Sequence, residues 1–172
     1  MKPYLSTLVV VIFAAALTRL LPHPWNFTPI TAVALFSGSY LPRKLSFLVP
    51  LLAMAVSDLI LGIHATLFFV YGSFALVAWI GQRIGENRTF SQVGSAVLAS
   101  SFLFFMITNF GVWVTQSLYL KTVDGLVACY IAALPFFQAT LAGDLFYTAV
   151  LFGGFALATL MVPSLRESTV AC

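Results

Sequence analysis

Polar side chains inside apolar segments are the residues of this sequence that could do chemistry. Asp58 follows Ser57 in one long apolar run, and Asn109 and Asp144 stand in two others. An ionised carboxylate at the centre of a bilayer costs about 2.5–3.5 kcal/mol, so Asp58 needs a ligand, a proton or an internal partner. Its candidate partners are Ser57, Asn109 or a basic side chain from a neighbouring helix. Asp58 therefore predicts a binding or ion-coupling site, or else a purely structural hydrogen-bond network.

The fifth apolar segment carries a stripe of aromatic and amide side chains. Offsets of three, seven, eleven and fourteen separate its members, which are Phe102, Phe105, Asn109, Trp113 and Gln116. In a helix these offsets place all five on one face. Such a stripe is either packing or a pocket wall, and its amides make it better suited to a pocket than to lipid.

Three further residues have two interpretations each. His64 is a possible metal ligand or a helix-end residue, and Cys129 a possible metal ligand or a small buried hydrophobe. No paired-cysteine metal spacing accompanies them. Asp144 is expected near the start of the last helix, where the helix dipole stabilises an anion, or in the ligand site.

The elements that hold these residues are helices in a membrane. The 172 residues are 61% hydrophobic and 8% charged, whereas soluble domains are about a quarter charged. The composition predicts an all-α integral membrane protein with one domain, residues 1–172. Its eight Lys and Arg are scattered in short loops, which argues against nucleic acid as a partner.

Spanning the hydrocarbon takes about 20 apolar residues in a helix. We predict six transmembrane helices, at approximately residues 4–21, 28–41, 45–63, 65–82, 92–115 and 139–162. Residues 122–137 are apolar as well. We predict a separate interfacial helix there that ends before Pro135, because the residue preceding a proline disfavours helix. This segment either covers a pocket or lies on the surface without a ligand role.

The distribution of basic residues predicts the orientation. An N-in/C-in topology puts six of the eight basic residues inside and leaves Arg19 and Lys121 outside, as the positive-inside rule favours. The inside residues are Lys2, Arg43, Lys44, Arg83, Arg88 and Arg166. The outer connections are then 22–27, 62–65 and 116–138. We expect a multi-pass protein of the bacterial cytoplasmic (inner) membrane with its site facing outward.

Two other patterns bear on function. The sequence has no phosphate-binding Gly-x-x-x-x-Gly-Lys-Ser/Thr loop, no His-Glu-x-x-His and no Gly-x-Ser-x-Gly, so we expect no enzyme activity. Small residues at a spacing of four, such as Ala34 with Gly38 and Gly81 with Gly85, allow helices to approach closely. They predict internal packing or docking to a partner helix.

Four motifs carry a family resemblance. They are residues 22–38 (PHPWNFTPITAVALFSG), Ser57-Asp58 with His64, residues 108–113 (TNFGVW) and residues 129–137 (CYIAALPFF). The chain resembles an uncharacterised family of small bacterial membrane proteins, similar to the S components of energy-coupling-factor vitamin transporters. The resemblance implies a six-helix protein that captures a vitamin or metal outside and docks on a transmembrane scaffold with ATPase subunits. The Met-His start of nickel and cobalt S components is absent.

Three functions follow as alternatives. The first is a substrate-binding subunit or small importer for a vitamin-like molecule, with a cobamide as one possible cargo through cobalt ligation by His64 or Cys129, and with no resident cofactor. The second is an ion-coupled secondary transporter that uses Asp58 or Asp144. The third is an intramembrane enzyme or an assembly factor. The expected substrate-binding residues are Asn26, Asp58, His64, Tyr71, Asn109, Trp113, Gln116 and Asp144.

Overall fold

The architecture was obtained as a computed structural model, which describes residues 3–20, 25–62, 65–84 and 88–165. Helices make up 86% of it, and this part of the chain contains no strand. The all-α prediction is therefore confirmed.

Seven helices follow one another along the described chain. They are α1 (Pro3–Leu17), α2 (Ile30–Tyr40), α3 (Arg43–Leu61), α4 (Leu67–Arg83), α5 (Phe90–Thr115), α6 (Val123–Thr148) and α7 (Gly154–Met161). A short 3₁₀ turn, Thr18–Leu20, extends α1, and a π-helical turn, Ala149–Gly153, joins α6 to α7. The helices α1 to α5 lie within a few residues of their predicted bounds.

The prediction for residues 122–137 is wrong. This segment is not a separate interfacial helix ending before Pro135, since α6 continues through Pro135 without a break. Proline removes only one backbone hydrogen bond, and packing against neighbouring helices maintains a membrane helix across such a gap. Residues of α6 lie beside α5: the hydroxyl of Tyr130 donates to the carbonyl of Met106 at 2.7 Å. The connection before α6 is correspondingly short, 116–122.

Three helical runs are long and apolar enough to cross a membrane, namely Arg43–Leu61, Phe90–Thr115 and Val123–Met161. The last run has 39 residues and includes α6, the π-helical turn and α7. The apolar helices Tyr4–Leu20, Ile30–Tyr40 and Leu67–Arg83 are shorter. The chain therefore has the character of a membrane protein, with three helices that meet the length requirement by themselves.

Helix α2 lies at the centre of the bundle. Every residue from Thr31 to Gly38 is buried, and α1, α3, α4, α5 and α6 all pack around it. A helix that is apolar on all sides is covered either by other protein elements or by lipid. The uncharged sequence of α2 is of this kind, and here the neighbouring helices cover it.

Two glycines, Gly38 and Gly81, allow α2 and α4 to approach each other closely. A methyl group built on Gly38 would lie 2.9 Å from the Cα of Gly81, and the reverse substitution gives the same distance. Only residues without a side chain allow two backbones to approach this closely. The small residues Ala34, Gly38 and Gly81 are thus used inside the bundle, while Gly85 lies outside the described residues.

The shortness of α2 creates the space for a site. Its 11 residues extend about 16 Å, roughly half the thickness of the hydrocarbon core. The chain that precedes it, residues 25–29, is not helical. Non-helical backbone at membrane depth is tolerated where protein or a wet cavity satisfies its polar groups. A cavity lies at this end of α2.

Candidate functional site

The cavity has a volume of about 320 Å³ and lies between α1, the segment before α2, α4, α5 and α6. Ligand sites of small molecules start at about this size. Its wall combines hydroxyls, amides, aromatic rings and one charged residue. The lining residues are Arg19, Asn26, Thr28, Ile30, Thr31, Val70, Phe104, Phe105, Thr108, Asn109, Val112, Ala133, Phe136, Phe137 and Thr140.

The segment before α2 forms one side of the cavity. Asn26 adopts a left-handed backbone conformation (φ 60°), which asparagine tolerates better than most residues. Phe27 packs between Phe146 and Tyr147 of α6. A methyl group on Gly143 would lie 3.1 Å from the backbone nitrogen of Thr28, so this glycine lets the segment approach α6. Asn26 and Thr28 are thereby held at the cavity wall.

Arg19 is the one charged residue among the described lining residues. Its Nη1 donates to the hydroxyl of Ser57 at 2.7 Å, and lies 3.2 Å from Oδ1 of Asp58 and 3.1 Å from the sulfur of Met54. The side chains of Arg19 and Asp58 are 13% and 5% exposed. Arg19 is therefore the partner that compensates the buried charge of Asp58, and it corresponds to the expected basic side chain from a neighbouring helix.

Tyr71 completes this network from α4. Its hydroxyl donates to Oδ2 of Asp58 at 3.0 Å, so both carboxylate oxygens have a donor. Neither Asp58 nor Tyr71 lines the cavity. Together they hold Arg19, which does.

Asp144 forms a second polar network, in α6. It is 1% exposed, accepts a hydrogen bond from Ser101 at 2.7 Å and is also bonded to the hydroxyl of Thr31. The expected place at a helix start is wrong, because α6 begins at Val123 and Asp144 lies deep within it. Thr31 lines the cavity and Asp144 does not. Each buried carboxylate thus stands one residue behind the wall, Asp58 behind Arg19 and Asp144 behind Thr31.

The opposite wall comes from α5 and α6. The rings of Phe105 and Phe137 lie 4.6 Å apart, centroid to centroid, and both line the cavity. Asn109 donates to the carbonyl of Phe105 at 2.8 Å, and the hydroxyl of Thr108 donates to the carbonyl of Phe104 at 2.7 Å. Their remaining acceptor atoms are suited to bind donors of a ligand.

Comparison with known proteins gives one match. A family of unknown function, DUF6580, matches residues 1–165. The chain belongs to this family. No curated protein and no solved structure matches it.

The structure brings two of the eight expected substrate-binding residues to the cavity wall, Asn26 and Asn109. Three more act behind the wall: Asp58, Tyr71 and Asp144. Trp113 and Gln116 do not reach the cavity; the indole of Trp113 donates to the carbonyl of Leu120 at 2.9 Å, and Gln116 caps the end of α5. The eighth, His64, lies outside the described residues.

The predicted stripe on α5 is only partly a cavity wall. Phe105 and Asn109 line the cavity, but Phe102 is 58% exposed on the outer surface. The face that lines the cavity also includes Phe104, Thr108 and Val112 and is therefore rotated from the predicted one. The spacing of the residues identified a face of the helix, but it did not show whether that face points toward the cavity or toward the surface.

Arg19 is the charged cavity-lining residue that the expected site does not include. The sequence presents it as an outside charge that reports topology, although a basic residue at the end of an apolar run is the natural partner of a buried acid elsewhere in the bundle. The threonines on the wall gave no signal, because isolated hydroxyls are common in membrane helices. The aromatic residues of α6 were not expected in the site, because residues 122–137 were predicted to form a separate interfacial helix.

A metal site finds no support in the described part of the chain. It contains no group of three or more His, Cys, Asp or Glu side chains that could hold an ion. Cys129 is 2% exposed, and its thiol donates to the carbonyl of Asn109 at 3.5 Å. It therefore packs as a small buried side chain between α5 and α6.

Proposed function

We propose that the protein is a substrate-binding membrane subunit or small importer that captures a vitamin-like small molecule. One observation carries the proposal: the cavity of about 320 Å³, whose wall combines aromatic rings with hydroxyls, amides and a guanidinium. Small-molecule sites are typically concave and mostly apolar, with a few polar groups that fix orientation. A packing gap between helices would not require hydroxyls, amides and a guanidinium on its wall.

The basic residues support an outward-facing site. Arg88 donates to the carbonyl of Ser39 at 2.7 Å, and Gln82 reaches the carbonyl of Arg43 at 3.5 Å, so Arg43, Arg88 and their neighbours gather at one end of the bundle. The cavity lies toward the other end, where the non-helical segment 25–29 and the 116–122 connection are. With basic residues on the cytoplasmic side, a six-pass chain opens its cavity outward.

The size of the cavity favours a ligand smaller than a cobamide. A corrin with its nucleotide and peripheral amides exceeds 320 Å³ several-fold. We therefore propose a compact molecule of one or two rings. Energy for uptake would come from a transmembrane scaffold with ATPase subunits, since the chain has no phosphate-binding loop of its own.

The experiment that tests this function places a larger side chain in the cavity wall, so that a ligand no longer fits. Ala133 lines the cavity and is 9% exposed, whereas its neighbour Ala132 is exposed on the outer surface. The wild-type protein, purified in mild detergent from cells grown in rich medium, is analysed by mass spectrometry for bound small molecules. We expect a stoichiometric molecule that Ala133→Leu loses and Ala132→Leu keeps. An empty wild-type protein that also binds nothing from a vitamin panel would overturn the proposal.

Asp144 favours a second candidate, ion-coupled transport. The hydroxyl of Ser101 lies 2.9 Å from the carbonyl of Val97 and 2.7 Å from Asp144, yet a serine has only one proton to donate. If that proton goes to Val97, a proton on Asp144 makes the other bond. Asp144 has no basic partner among the described residues, and a neutral, protonated acid needs none.

Uptake into membrane vesicles separates the two candidates. Ion-coupled transport collapses when a proton or sodium gradient is dissipated, needs no ATP and is lost in Asp144→Asn. The control is Asp124→Asn, because Asp124 is exposed in the first turn of the same helix. Uptake that persists without a gradient and depends on an ATPase partner supports the binding-subunit function instead.

A further inference from the structure

We infer that the molecule bound in the cavity is a compact aromatic acid whose carboxylate pairs with Arg19. This inference rests on the proposed function and names its substrate class.

The positive charge is on the wall and its counter-charge is not. Arg19 lines the cavity, whereas Asp58 stands behind it with 5% of its side chain exposed. The other described lining residues are uncharged. A molecule in the cavity therefore meets a guanidinium before it meets any carboxylate, and an anionic group is the complementary one.

Some N–H donors of Arg19 are not used by the residues that the structure describes. Its bonds to Ser57, Asp58 and Met54 are all made by Nη1, and Nη2 and Nε have no partner among the described residues. A guanidinium has five N–H donors, and a carboxylate binds two of them at once through a forked geometry. The pairing with Asp58 is single, since only Nη1 bonds to this carboxylate, while its second oxygen accepts from Tyr71. One edge of the guanidinium thus remains suited to a second carboxylate.

The start of α2 adds to the preference for an anion. Ile30 and Thr31 of its first turn line the cavity, and the helix has no acidic residue in that turn and no side-chain cap. The first amides of a helix lack intrahelical partners and carry a partial positive charge. The dipole of α2 therefore acts on the cavity in the same sense as Arg19, and the carboxyl of Asp144, which is bonded to Thr31, opposes it only when it is ionised.

Aromatic side chains set the rest of the ligand's shape. Phe104, Phe105, Phe136 and Phe137 line the cavity on α5 and α6. Rings prefer offset or edge-on contacts with other rings, which favours a flat aromatic body over a flexible chain. Thr108 and Asn109 on the same wall would bind polar atoms of that ring.

Matched pairs of acid and amide test the inference. Nicotinate is compared with nicotinamide, and 4-aminobenzoate with 4-aminobenzamide, by calorimetry on the full chain in detergent. Each pair has the same ring and nearly the same shape but differs in charge. We expect the acid of at least one pair to bind about tenfold or more tightly than its amide, a difference of about 1.4 kcal/mol. We expect Arg19→Gln to abolish that difference.

A double variant protects the test against misfolding. Arg19→Gln with Asp58→Asn removes both charges and leaves no unpaired ion, so a loss of acid preference in it reports on the ligand rather than on the fold. If in every pair that binds the wild type the amide binds as tightly as its acid, the inference is overturned and the proposed function still stands. If no pair binds, the co-purifying molecule decides: an aromatic acid supports the inference, and a neutral or cationic molecule overturns it. If nothing co-purifies either, both proposals fail.

Discussion

Arg19 meets Asp58 through a single nitrogen, Nη1, at 3.2 Å from Oδ1, although a guanidinium and a carboxylate can pair through two bonds. The second oxygen of the carboxylate accepts a hydrogen bond from Tyr71. The ion pair is therefore sufficient to neutralise Asp58 inside the bundle while one edge of Arg19 stays unoccupied. This relationship connects the stability of the protein with the proposed site.

Breaking this ion pair is expected to destabilise the protein strongly. Arg19→Gln leaves Asp58 buried without a counter-charge, and such uncompensated charges cost about 3–5 kcal/mol. Thermal unfolding in detergent, followed by intrinsic fluorescence, measures the loss.

The double variant Arg19→Gln with Asp58→Asn is the control. Two neutral amides can hydrogen-bond where the ions did, so most of the lost stability is expected to return. A double variant less stable than Arg19→Gln alone would contradict the assignment of the pair.

A second prediction concerns the contact between α2 and α4. Gly81→Ala places a methyl group 2.9 Å from the backbone of Gly38, where no flexible side chain can move aside. Forced overlap of this kind typically costs about 1–3 kcal/mol. The melting temperature of the purified protein is expected to fall.

Gly72→Ala is the matched control in the same helix. A methyl group on Gly72 meets nothing within 4 Å, and alanine is the better helix former by about 1 kcal/mol. This variant is expected to be unchanged or more stable. Equal destabilisation by both substitutions would show that the approach of the two backbones is not what matters.

The third prediction concerns Asp144. Ser101→Ala removes a donor 2.7 Å from a carboxyl group that is 1% exposed, which costs about 1–3 kcal/mol. Chemical or thermal denaturation reports the change. Ser95→Ala is the control, because Ser95 is exposed on the same helix and bonds only locally, to the carbonyl of Gln92 at 3.1 Å. A surface substitution of this type stays within about 0.5 kcal/mol.

The fourth prediction concerns orientation. Leu118 is 72% exposed near the cavity end, and Phe90 is 95% exposed near the basic end. In a background with Cys172→Ser, Leu118→Cys is expected to react with an impermeant maleimide in intact cells, and Phe90→Cys only after permeabilisation. Cys129 is too buried to react at a comparable rate. Labelling in the opposite order would place the cavity on the cytoplasmic side.

Hydropathy was sufficient to locate the first five helices and insufficient for α6 and for the site. The first five helices lie near their predicted bounds, because runs of apolar residues between polar connections leave few alternatives in a membrane. Pro135 misled the prediction of α6, since a local preference against helix was outweighed by packing along α5. Sequence spacing also placed Phe102 with Phe105, because a period identifies a face but carries no information about the neighbour it turns toward.

The partner of Asp58 is a second case in which the sequence did not show which helices are neighbours. The sequence offered a basic residue from a neighbouring helix as one candidate beside a ligand, a proton, Ser57 and Asn109. It could not choose among them, because pairing between distant segments depends on how the helices are arranged. Arg19 and Asp58 are 39 residues apart in the chain. Asp144 was placed at the wrong part of its helix for a related reason: the start of α6 depends on its packing with α5.

The contact between Gly38 and Gly81 also bears on which part of the cavity wall can yield. The two backbones touch without side chains between them, so neither helix can move toward the other. Ile30 and Thr31 on α2 and Val70 on α4 belong to this pair of helices. If the cavity binds a solute as proposed, we expect the wall to open at the non-helical segment 25–29 or at the aromatic side of α6 rather than between α2 and α4.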